Sequence, residues 1–485
     1  MDFQNLTREQ ILKMTEASSE LIGALFLYLW DENQKLKQEV KELKARLNQN
    51  SNNSSKPPSS DGYQKPNPKS LRGKSGKPSG GQFGHKAHQL PLNENPDHVI
   101  TYRPDTCEKC ECDLNDTLPL EEKIRQVLEF IAKLEITEHR VQTTICPKCQ
   151  HPNQASFPLG VDYKTQYGDQ TKALFSYLNV QQLMPLKRLT ETFHSLTDHT
   201  VSQGTILRAN QELYTKLAYA EEQIKQQLLD SPVLHSDESS VKVNGKKQWI
   251  HVACTPKLTY YMIHPNRGKI AMDATGILTD YEGYSMHDGL KAYRKNTNCK
   301  QALCNEHHHR ELVAVVENDK QAWGQKMIDL LYVIKKQKEE RIDSGFQVME
   351  PDQITRFEAQ YRNILDSGFV ENPPPELSLE KKRGKPKQSK TKNLLDRLDK
   401  DQSAVLAFMH DFQVPFTNNE AERAIRMIKV MQKVSGSFRS AQGPLIFSRL
   451  RGYFSTVRKH GLPVLEKIQE ALSGTPFIPQ PQPKN

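Results

Sequence analysis

Apolar side chains recur at alternating steps of three and four residues between residues 22 and 47, with one polar break at Asn33. The apolar positions of this seam are Ile22, Phe26, Leu29, Leu36, Val40, Leu43 and Leu47. Such a heptad pattern predicts a long helix that joins other helices in a coiled coil, where a polar seam residue often sets the register. The alternative is an amphipathic helix packed on its own protein. We favour the coiled coil, because the chain that follows offers little apolar surface to pack against.

The next segment, residues 51–100, is rich in Ser, Asn, Pro, Gly and Lys and has few large apolar residues. Between Lys56 and Lys86 it holds seven Lys or Arg residues and a single acid, Asp61. Such a composition buries too little apolar surface to fold by itself. It therefore predicts a disordered basic linker, which can also act as a flexible arm that follows the phosphates of a nucleic acid.

Two Cys-x-x-Cys pairs lie within residues 101–155. Their four cysteines are Cys107, Cys110, Cys146 and Cys149. Between the pairs, apolar residues alternate at Leu134, Ile136 and Val141, which predicts strands. Two such pairs joined by strands predict a zinc ribbon with a tetrahedral four-cysteine site for structural Zn²⁺. Cys112 is left unassigned, and its exchange with one of the four ligands stays open.

The pattern from residue 160 onward predicts helices and then a sheet. Residues 160–232 have helical periodicity. From residue 233 strand-like runs alternate with turn residues, and Asn244-Gly245 is typical of the tight turn of a hairpin. Three antiparallel strands are followed by a helix, a strand, a helix and a strand. This is the order of an RNase H-like fold, in which the first and fourth strands are neighbours.

Two carboxylates are distinctive in this predicted sheet because each lies on a strand or ends one. Asp237 belongs to the first strand and Asp288 follows the fourth. If these strands are neighbours, both side chains project into one space, where they repel unless divalent cations lie between them. Mg²⁺ and Mn²⁺ prefer such oxygen ligands, and a third carboxylate from a later helix would complete a two-metal site. The adjacent Glu238 is a weaker candidate, because it points to the opposite face of the strand.

The composition adds two expectations to this picture. Only 36% of the 485 residues are hydrophobic and 26% are charged, so several domains are expected rather than one continuous core. The net charge of +9 favours a polyanionic partner. The most apolar N-terminal run, residues 21–30, lacks the basic start of a secretion signal and is far shorter than the about 20 residues of a membrane span. We therefore expect a cytoplasmic protein without a membrane partner.

Several motifs together resemble the insertion-sequence-66 family of bacterial DDE transposases, in that family's order. The heptad helix is followed by NSNNSSKPPSSDG, a family-like linker, and then by the double Cys-x-x-Cys. HSDESSVKV and MHDGLKAY are similar to the first and second acidic motifs. CNEHHHREL is similar to the strand-to-helix segment after them, and NNEAERAIR to the third acidic motif. The resemblance extends over nearly the whole chain.

The resemblance implies a catalytic triad of Asp237, Asp288 and Glu422, with Glu420 in a variable position. It implies that the triad holds Mg²⁺ (or Mn²⁺) for strand cleavage at element ends and strand transfer into target DNA. It also implies a mainly helical insertion, about residues 311–412, before the third acid. The expected partners are double-stranded DNA at the ends and the target, further copies of this chain through the N-terminal helix, and accessory transposition proteins. The expected location is the bacterial cytoplasm, in association with the nucleoid.

The stretch TNNEAERAIR also permits a simpler interpretation. Asn419 could cap a helix, and Glu422 three residues later would complete a capping box. Basic residues then recur on one helix face, which predicts phosphate contacts beside the metal site. These DNA-binding candidates are Arg423, Arg426, Lys429 and Lys433. The alternative for them is an ordinary solvated face with local ion pairs.

A cysteine and three histidines, at positions 304 and 307–309, follow the second acid. These four side chains could form a second metal site. A Cys-x-x-His at this place recurs in several DDE transposase groups, but its spacing does not show its role. We favour the alternative that His307 packs or hydrogen-bonds near the triad while His308 and His309 are exposed.

The predicted fold class is multidomain α+β, with an RNase H-like α/β catalytic core. The predicted domains are a coiled-coil helix (1–50), a basic linker (51–100), a zinc-binding domain (101–155), a helical domain (160–232), the catalytic domain with its insertion (233–460) and a tail (461–485). Two other functions stay open, a catalytically inactive zinc-ribbon DNA-binding protein and an RNase H-like nuclease without strand transfer. Mg²⁺-dependent nicking tests the first, and a joining assay tests the second.

Overall fold

The computed structural model describes residues 19–54, 92–116, 118–295, 298–374 and 388–481. Most of the predicted basic linker, residues 55–91, and part of the predicted insertion, residues 375–387, lie outside the described residues. The chain divides into two compact units. The smaller unit comprises Lys69–Asp162 and Thr192–His199, and the larger unit comprises the rest. No described helix is long and apolar enough to cross a membrane.

The N-terminal helix predicted from the heptad pattern is confirmed as α1, Ser19–Leu47. Its seam is exposed to solvent in the single chain, with Leu36 58% and Leu43 55% exposed. The C-terminal end of α1 nevertheless contacts its own unit, because Lys41 forms an ion pair with Asp319 at 2.9 Å. The helix therefore has polar contacts with its own chain and an apolar seam that remains available.

In the described part of the smaller unit, β1, Thr143–Ile145, and β2, Pro152–Gln154, form a two-stranded antiparallel sheet. Within the described part of this unit, residues 118–142 form no strand, so the strands predicted around Leu134 and Ile136 are not present. Alternation is insufficient for a strand when no neighbouring strand supplies hydrogen bonds. Many apolar side chains of this segment are exposed, among them Ile136 at 90%.

The helices predicted before the sheet are confirmed. They are α2, Asp169–Ser176, α3, Leu186–Thr197, α4, Gln203–Lys216, and α5, Ala218–Leu229. A π-helical turn, Tyr177–Gln181, extends α2. Ser202 caps α4, since its hydroxyl accepts a hydrogen bond of 3.1 Å from the Thr205 amide.

The five-stranded sheet has the predicted order of neighbours, β5-β4-β3-β6-β7. Its elements in chain order are β3, Val233–Val243, β4, Lys246–Cys254, β5, Thr259–His264, α6, Lys269–Ala274, β6, Tyr284–His287, and β7, Lys300–Leu303. The first three strands form the predicted antiparallel meander, and Asn244 and Gly245 both have the positive φ that the tight turn requires. Strand β3 is parallel to β6, and β6 is parallel to β7.

The connection between β6 and β7 differs from the prediction. It was expected to be a helix, but its described residues hold only a 3₁₀ turn, Tyr293–Lys295. The connection is anchored by side chains instead, because Tyr293 is 2% exposed and its ring stacks on His287 at 4.8 Å.

The described residues between β7 and the segment of the third acid are mainly helical, as expected for the predicted insertion. It consists of α7, Asn305–Ala314, α8, Ala322–Asp343, α9, Pro351–Glu371, α10, Lys390–Lys400, and the short helices α11, Gln402–Val405, and α12, Ala407–His410. A π-helical turn, Val315–Asp319, extends α7. Trp323, Tyr361 and Phe408 are almost completely buried in the core of this insertion. The insertion therefore packs around an apolar cluster that it shares with the sheet, through Met286 of β6 and Leu303 of β7.

Three helices complete the chain, α13, Asn419–Ser435, α14, Gln442–Lys459, and α15, Val464–Leu472. Helix α14 packs closely on β5, and a side chain at Gly452 would place its Cβ 3.0 Å from the Thr259 carbonyl oxygen. The region predicted as a tail, residues 461–485, contains α15, whose Ile468 and Leu472 are buried.

Helix α13 is attached to β3 at both ends. Before the helix, the Asn418 side chain donates to the Ser236 carbonyl at 2.9 Å. After it, the Phe438 amide donates to the Lys242 carbonyl at 3.0 Å. The two attached residues of β3, Ser236 and Lys242, are six positions apart, about 20 Å along the strand. The two attachments keep α13 aligned along the strand that carries the first acid.

Candidate active site and metal centres

The first two acids lie at corresponding positions of neighbouring strands. The last registered pair of β3 and β6 is His235 with Met286. Asp237 and Asp288 each lie two residues beyond this pair, so they follow the parallel strands to the same level. The predicted proximity of these two acids is therefore supported by the register.

The charges of neighbouring acids, the third predicted acid among them, act on Asp237. Burial and the carboxylates of Glu238, Asp288 and Glu422 raise the pKa of Asp237 to about 8. A hydrogen bond of 2.8 Å from the Glu238 amide to Asp237 Oδ1 opposes this shift. Carboxylates that repel one another in this way form a site whose charge a divalent cation compensates.

Asn418 positions the third acid. The helix start predicted at Asn419 as a capping box is wrong, because Asn418 is the N-cap and Asn419 is the first helical residue. The Asn418 side chain bonds to β3 instead, with its Oδ1 2.9 Å from His235 Nδ1 and its Nδ2 2.9 Å from the Ser236 carbonyl. Its carbonyl accepts from the Glu422 amide at 3.1 Å. The Asn418 side chain thus attaches the first turn of α13 to the sheet instead of capping the helix.

Glu420 and Glu422 have different surroundings. Glu420 lies 3.5 Å from Lys459 and 3.6 Å from Arg423, so basic side chains neutralise its charge. Glu422, in contrast, acts on Asp237 electrostatically. These surroundings favour Glu422 over Glu420 as the acid of the cluster.

Glu238 has a structural set of partners that sequence reasoning missed. Its side chain is 1% exposed and pairs with Arg267 at 2.8 Å. The Tyr293 hydroxyl donates to it at 2.7 Å. Burial raises the pKa of Glu238 despite these partners. The signal for Glu238 was its place next to Asp237 on a strand, but no local pattern identifies partners 29 and 55 residues away.

The Cys-x-x-His motif lies against the third acid. Glu422 Oε1 is 3.9 Å from Cys304 Sγ and 3.7 Å from His307 Nδ1. Burial raises the pKa of the Cys304 thiol to about 12. The expectation that His308 is exposed is wrong, since it is 5% exposed and its Nδ1 lies 3.1 Å from Asn305 Oδ1. Burial lowers the pKa of His308 to about 3, so that ring is neutral.

The predicted DNA-binding side chains form an exposed row on α13. Arg423, Arg426, Lys429 and Lys433 are all exposed, while the opposite side of the helix is buried on the sheet. Arg423 is close to Glu420, but the row as a whole faces solvent. The helix begins at the acidic cluster, so the row extends away from it along the helix.

Both Cys-x-x-Cys pairs form hairpins of the same geometry. The Cys107 amide donates to the Cys112 carbonyl at 2.9 Å, and the Cys146 amide donates to the His151 carbonyl at 2.9 Å. In each hairpin the residue after the second cysteine has a φ of 58°. Backbone N–H groups lower the pKa of the first thiol in both hairpins, which favours the thiolate that binds metal.

One of the two hairpins groups three thiols. Cys107, Cys110 and Cys112 have their sulfur atoms within 4.8 Å of one another, so this cluster can bind zinc. The unassigned Cys112 is part of it, with its Sγ 3.4 Å from that of Cys110. Cys146 and Cys149 lie on the second hairpin, and their role as the remaining ligands stays a prediction.

A comparison with protein families identifies the larger unit. The family model described as "Transposase IS66 family" matches residues 164–444, more than half of the chain. The chain belongs to the IS66 transposase family. A second model, described as a family of unknown function, matches residues 7–91. No curated protein matches the chain.

Membership in the IS66 family agrees with the acidic cluster. The matched region contains all three acids, the Cys-x-x-His motif and the basic row of α13. The family indicates a transposase, an enzyme that binds and processes DNA, and it implies a divalent metal. The two cysteine hairpins fall between the two matched regions, so they are not covered by either model.

Proposed function

We propose that the chain is a DDE transposase with an RNase H-like catalytic core. In this proposal Asp237, Asp288 and Glu422 hold two Mg²⁺ (or Mn²⁺) ions. The observation that carries it is the cluster of carboxylates around Asp237, whose pKa their charges and burial raise to about 8. The sheet order and the shared level of Asp237 and Asp288 in the register also support it.

The proposed reaction is cleavage at the element ends followed by strand transfer into target DNA. When bound, the ions stabilise the attacking and leaving oxygens of an in-line phosphoryl displacement. The three carboxylates hold this charge at a fixed place, because β3, β6 and α13 are joined by backbone and side-chain hydrogen bonds. The exposed row Arg423, Arg426, Lys429 and Lys433 then holds DNA phosphates beside the acids.

A matched pair of variants tests the triad. We expect Glu422→Gln to abolish Mg²⁺-dependent cleavage of a duplex that carries a candidate element end. We expect Glu420→Gln, two residues away on the same helix, to keep most of the activity. Asp237→Asn should also be inactive although it remains folded. If Glu422→Gln still cleaves DNA and Glu420→Gln does not, the third acid of the triad is Glu420 and the assignment of Glu422 is wrong.

The products distinguish this function from its alternatives. Mapping of new 3′ ends and a joining assay with a second duplex show whether cleavage is followed by strand transfer. Cleavage without joining would indicate an RNase H-like nuclease. DNA binding without any Mg²⁺-dependent nicking would indicate an inactive zinc-ribbon DNA-binding protein.

We also propose the other features that the sequence predicts. Cys107, Cys110, Cys146 and Cys149 hold a structural Zn²⁺, for which the two equal hairpins and the lowered pKa of the Cys107 and Cys146 thiols are the support. The exposed seam of α1 joins copies of the chain. We keep the domain boundaries given by the sequence analysis as a proposal, with the catalytic domain at residues 233–460. The proposed location is the bacterial cytoplasm at the nucleoid, with accessory transposition proteins as further partners.

A further inference from the structure

Three side chains beside the acidic cluster have ligand atoms typical of a transition-metal site. Cys304 precedes α7, His307 lies in the first turn of α7, and Glu422 lies in the first turn of α13. The thiol sulfur, an imidazole nitrogen and a carboxylate oxygen all lie within 4.8 Å of one another. Thiolate and imidazole are poor ligands for Mg²⁺ and good ligands for Zn²⁺ or Co²⁺.

The distances are close to those of tetrahedral coordination. Ideal tetrahedral Zn²⁺ with normal bond lengths places a sulfur and an oxygen ligand about 3.6 Å apart, and a nitrogen and an oxygen ligand about 3.4 Å apart. Glu422 Oε1 lies 3.9 Å from Cys304 Sγ and 3.7 Å from His307 Nδ1. The contraction needed to coordinate a metal is therefore about 0.3 Å for each of these two pairs, which small side-chain rotations supply.

The surrounding structure holds the three groups in place. The Cys304 amide donates to the His287 carbonyl at 3.0 Å, and the Asn418 amide donates to Cys304 Sγ at 3.2 Å. His307 Nδ1 is buried and has no hydrogen-bond partner among the described residues. A buried ring nitrogen that faces a carboxylate and a thiol without a hydrogen bond is poised to accept a metal.

We propose that Cys304, His307 and Glu422 bind a thiophilic divalent metal such as Zn²⁺ or Co²⁺, at a site that shares Glu422 with the acidic cluster. The three protein ligands leave the fourth tetrahedral position open. Because Glu422 Oε1 lies near both Cys304 Sγ and His307 Nδ1, a metal at this site would compete with Mg²⁺ for Glu422. This site is distinct from the cluster of Cys107, Cys110 and Cys112, because its ligands differ and it belongs to the larger unit of the chain. From the sequence we favoured His307 as a residue that packs or hydrogen-bonds near the triad; this proposal makes it a metal ligand instead.

The test is Co²⁺ binding to the full-length protein without DNA, followed by optical absorption. We expect the wild type to bind one more Co²⁺ per chain than Cys304→Ala. The difference spectrum should contain a Co²⁺–thiolate band and the visible bands of tetrahedral Co²⁺. Cys299→Ala is the matched control, because it also removes a buried cysteine thiol, and it should behave as the wild type. His307→Ala should weaken Co²⁺ binding at this site by at least about 10–100-fold. Loss of a residue that only hydrogen-bonds to a metal ligand already costs that much affinity.

Two results would overturn the proposal. One is that the wild type and Cys304→Ala bind the same number of Co²⁺ ions and give the same spectrum. This result counts if Cys304→Ala is folded, which is shown when it unfolds at the same urea concentration as Cys299→Ala. The other is a Glu422→Gln variant that still shows the Co²⁺–thiolate band and binds Co²⁺ at this site as tightly as the wild type. Neither measurement requires cleavage activity, so failure here leaves the proposed transposase function untouched. A failure of the cleavage assay likewise leaves this metal site testable.

Discussion

The hydroxyl of Tyr293 donates a hydrogen bond of 2.7 Å to the carboxylate of Glu238, and this bond joins the strand of the first acid to the loop of the second. Glu238 is the neighbour of Asp237 on β3. The Tyr293 ring stacks on His287, whose Nδ1 accepts from the Gly289 amide at 2.9 Å. His287 and Gly289 flank the exposed Asp288 in the chain, so the bond between Tyr293 and Glu238 links the backbone next to both acids.

Removal of this bond should destabilise the larger unit. Tyr293→Phe keeps the ring and its stacking on His287, but the buried Glu238 loses this hydrogen bond and keeps its ion pair with Arg267. We expect the free energy of unfolding to fall by about 1–3 kcal/mol, the cost of an unsatisfied buried polar group. Urea denaturation measures it. Tyr219→Phe is the control, because Tyr219 is 66% exposed and should lose almost nothing. Equal stability of both variants would show that the bond contributes little.

The side chain of Asn418 should affect activity through the position of Glu422. Asn418 is 1% exposed and bonds to His235 and Ser236, whereas Asn419 beside it is exposed. We expect Asn418→Ala to lower the free energy of unfolding by about 1–3 kcal/mol. Its cleavage rate should fall by about 100-fold, since a displacement of about 1 Å at a reacting site costs that much.

Asn419→Ala is the matched control for this prediction, since it changes the same residue type one position later. It should retain wild-type stability and cleavage. If the two alanine variants are equally active in the DNA cleavage assay, the attachment of α13 to β3 does not depend on the Asn418 side chain.

The raised pKa of Asp237 predicts an unusual pH dependence of stability. Its ordinary value is 3.8, and in the folded protein burial and the neighbouring carboxylates raise the pKa to about 8. Between these two pH values the folded state binds a proton that the unfolded chain releases. The free energy of unfolding should therefore decrease as the pH rises from about 4 to 8 in the absence of divalent cations.

Comparison with Asp237→Asn isolates this contribution. Urea denaturation at several pH values should show the wild type losing stability relative to the variant as the pH increases. Addition of Mg²⁺ should restore the wild type at high pH, because the cation binds the ionised carboxylate of the folded state. A constant difference between the two proteins over this pH range would contradict a raised pKa at Asp237.

Sequence reasoning identified those parts of the fold that depend on local patterns. The meander of β3 to β5 followed from alternation and from the Asn244-Gly245 turn, and the neighbouring positions of Asp237 and Asp288 followed from the order of elements. Alternation failed in residues 118–142, because a strand also needs a partner strand. The contacts of Asn418 and Tyr293 could not be predicted, because they join residues that are distant in the sequence and depend on the completed packing.

The exposed seam of α1 predicts self-association of the full-length chain. Leu36 belongs to the heptad seam, and Leu27 lies on the same helix outside it, with similar exposures of 58% and 65% in the single chain. In a coiled coil only Leu36 becomes buried, so a charge there must be desolvated at the interface. We expect Leu36→Glu to raise the dissociation constant by more than about tenfold and Leu27→Glu to leave it unchanged.

Light scattering over a range of concentrations measures this difference. The wild type should have a mass that is a multiple of 55.6 kDa, and Leu36→Glu should approach 55.6 kDa at concentrations where Leu27→Glu remains associated. The paired variants carry the same charge on the same helix, so a general loss of solubility or helicity would affect both alike. A wild-type protein with the mass of a single chain at all concentrations would refute self-association. Equal dissociation of both variants would place the contact outside the heptad seam.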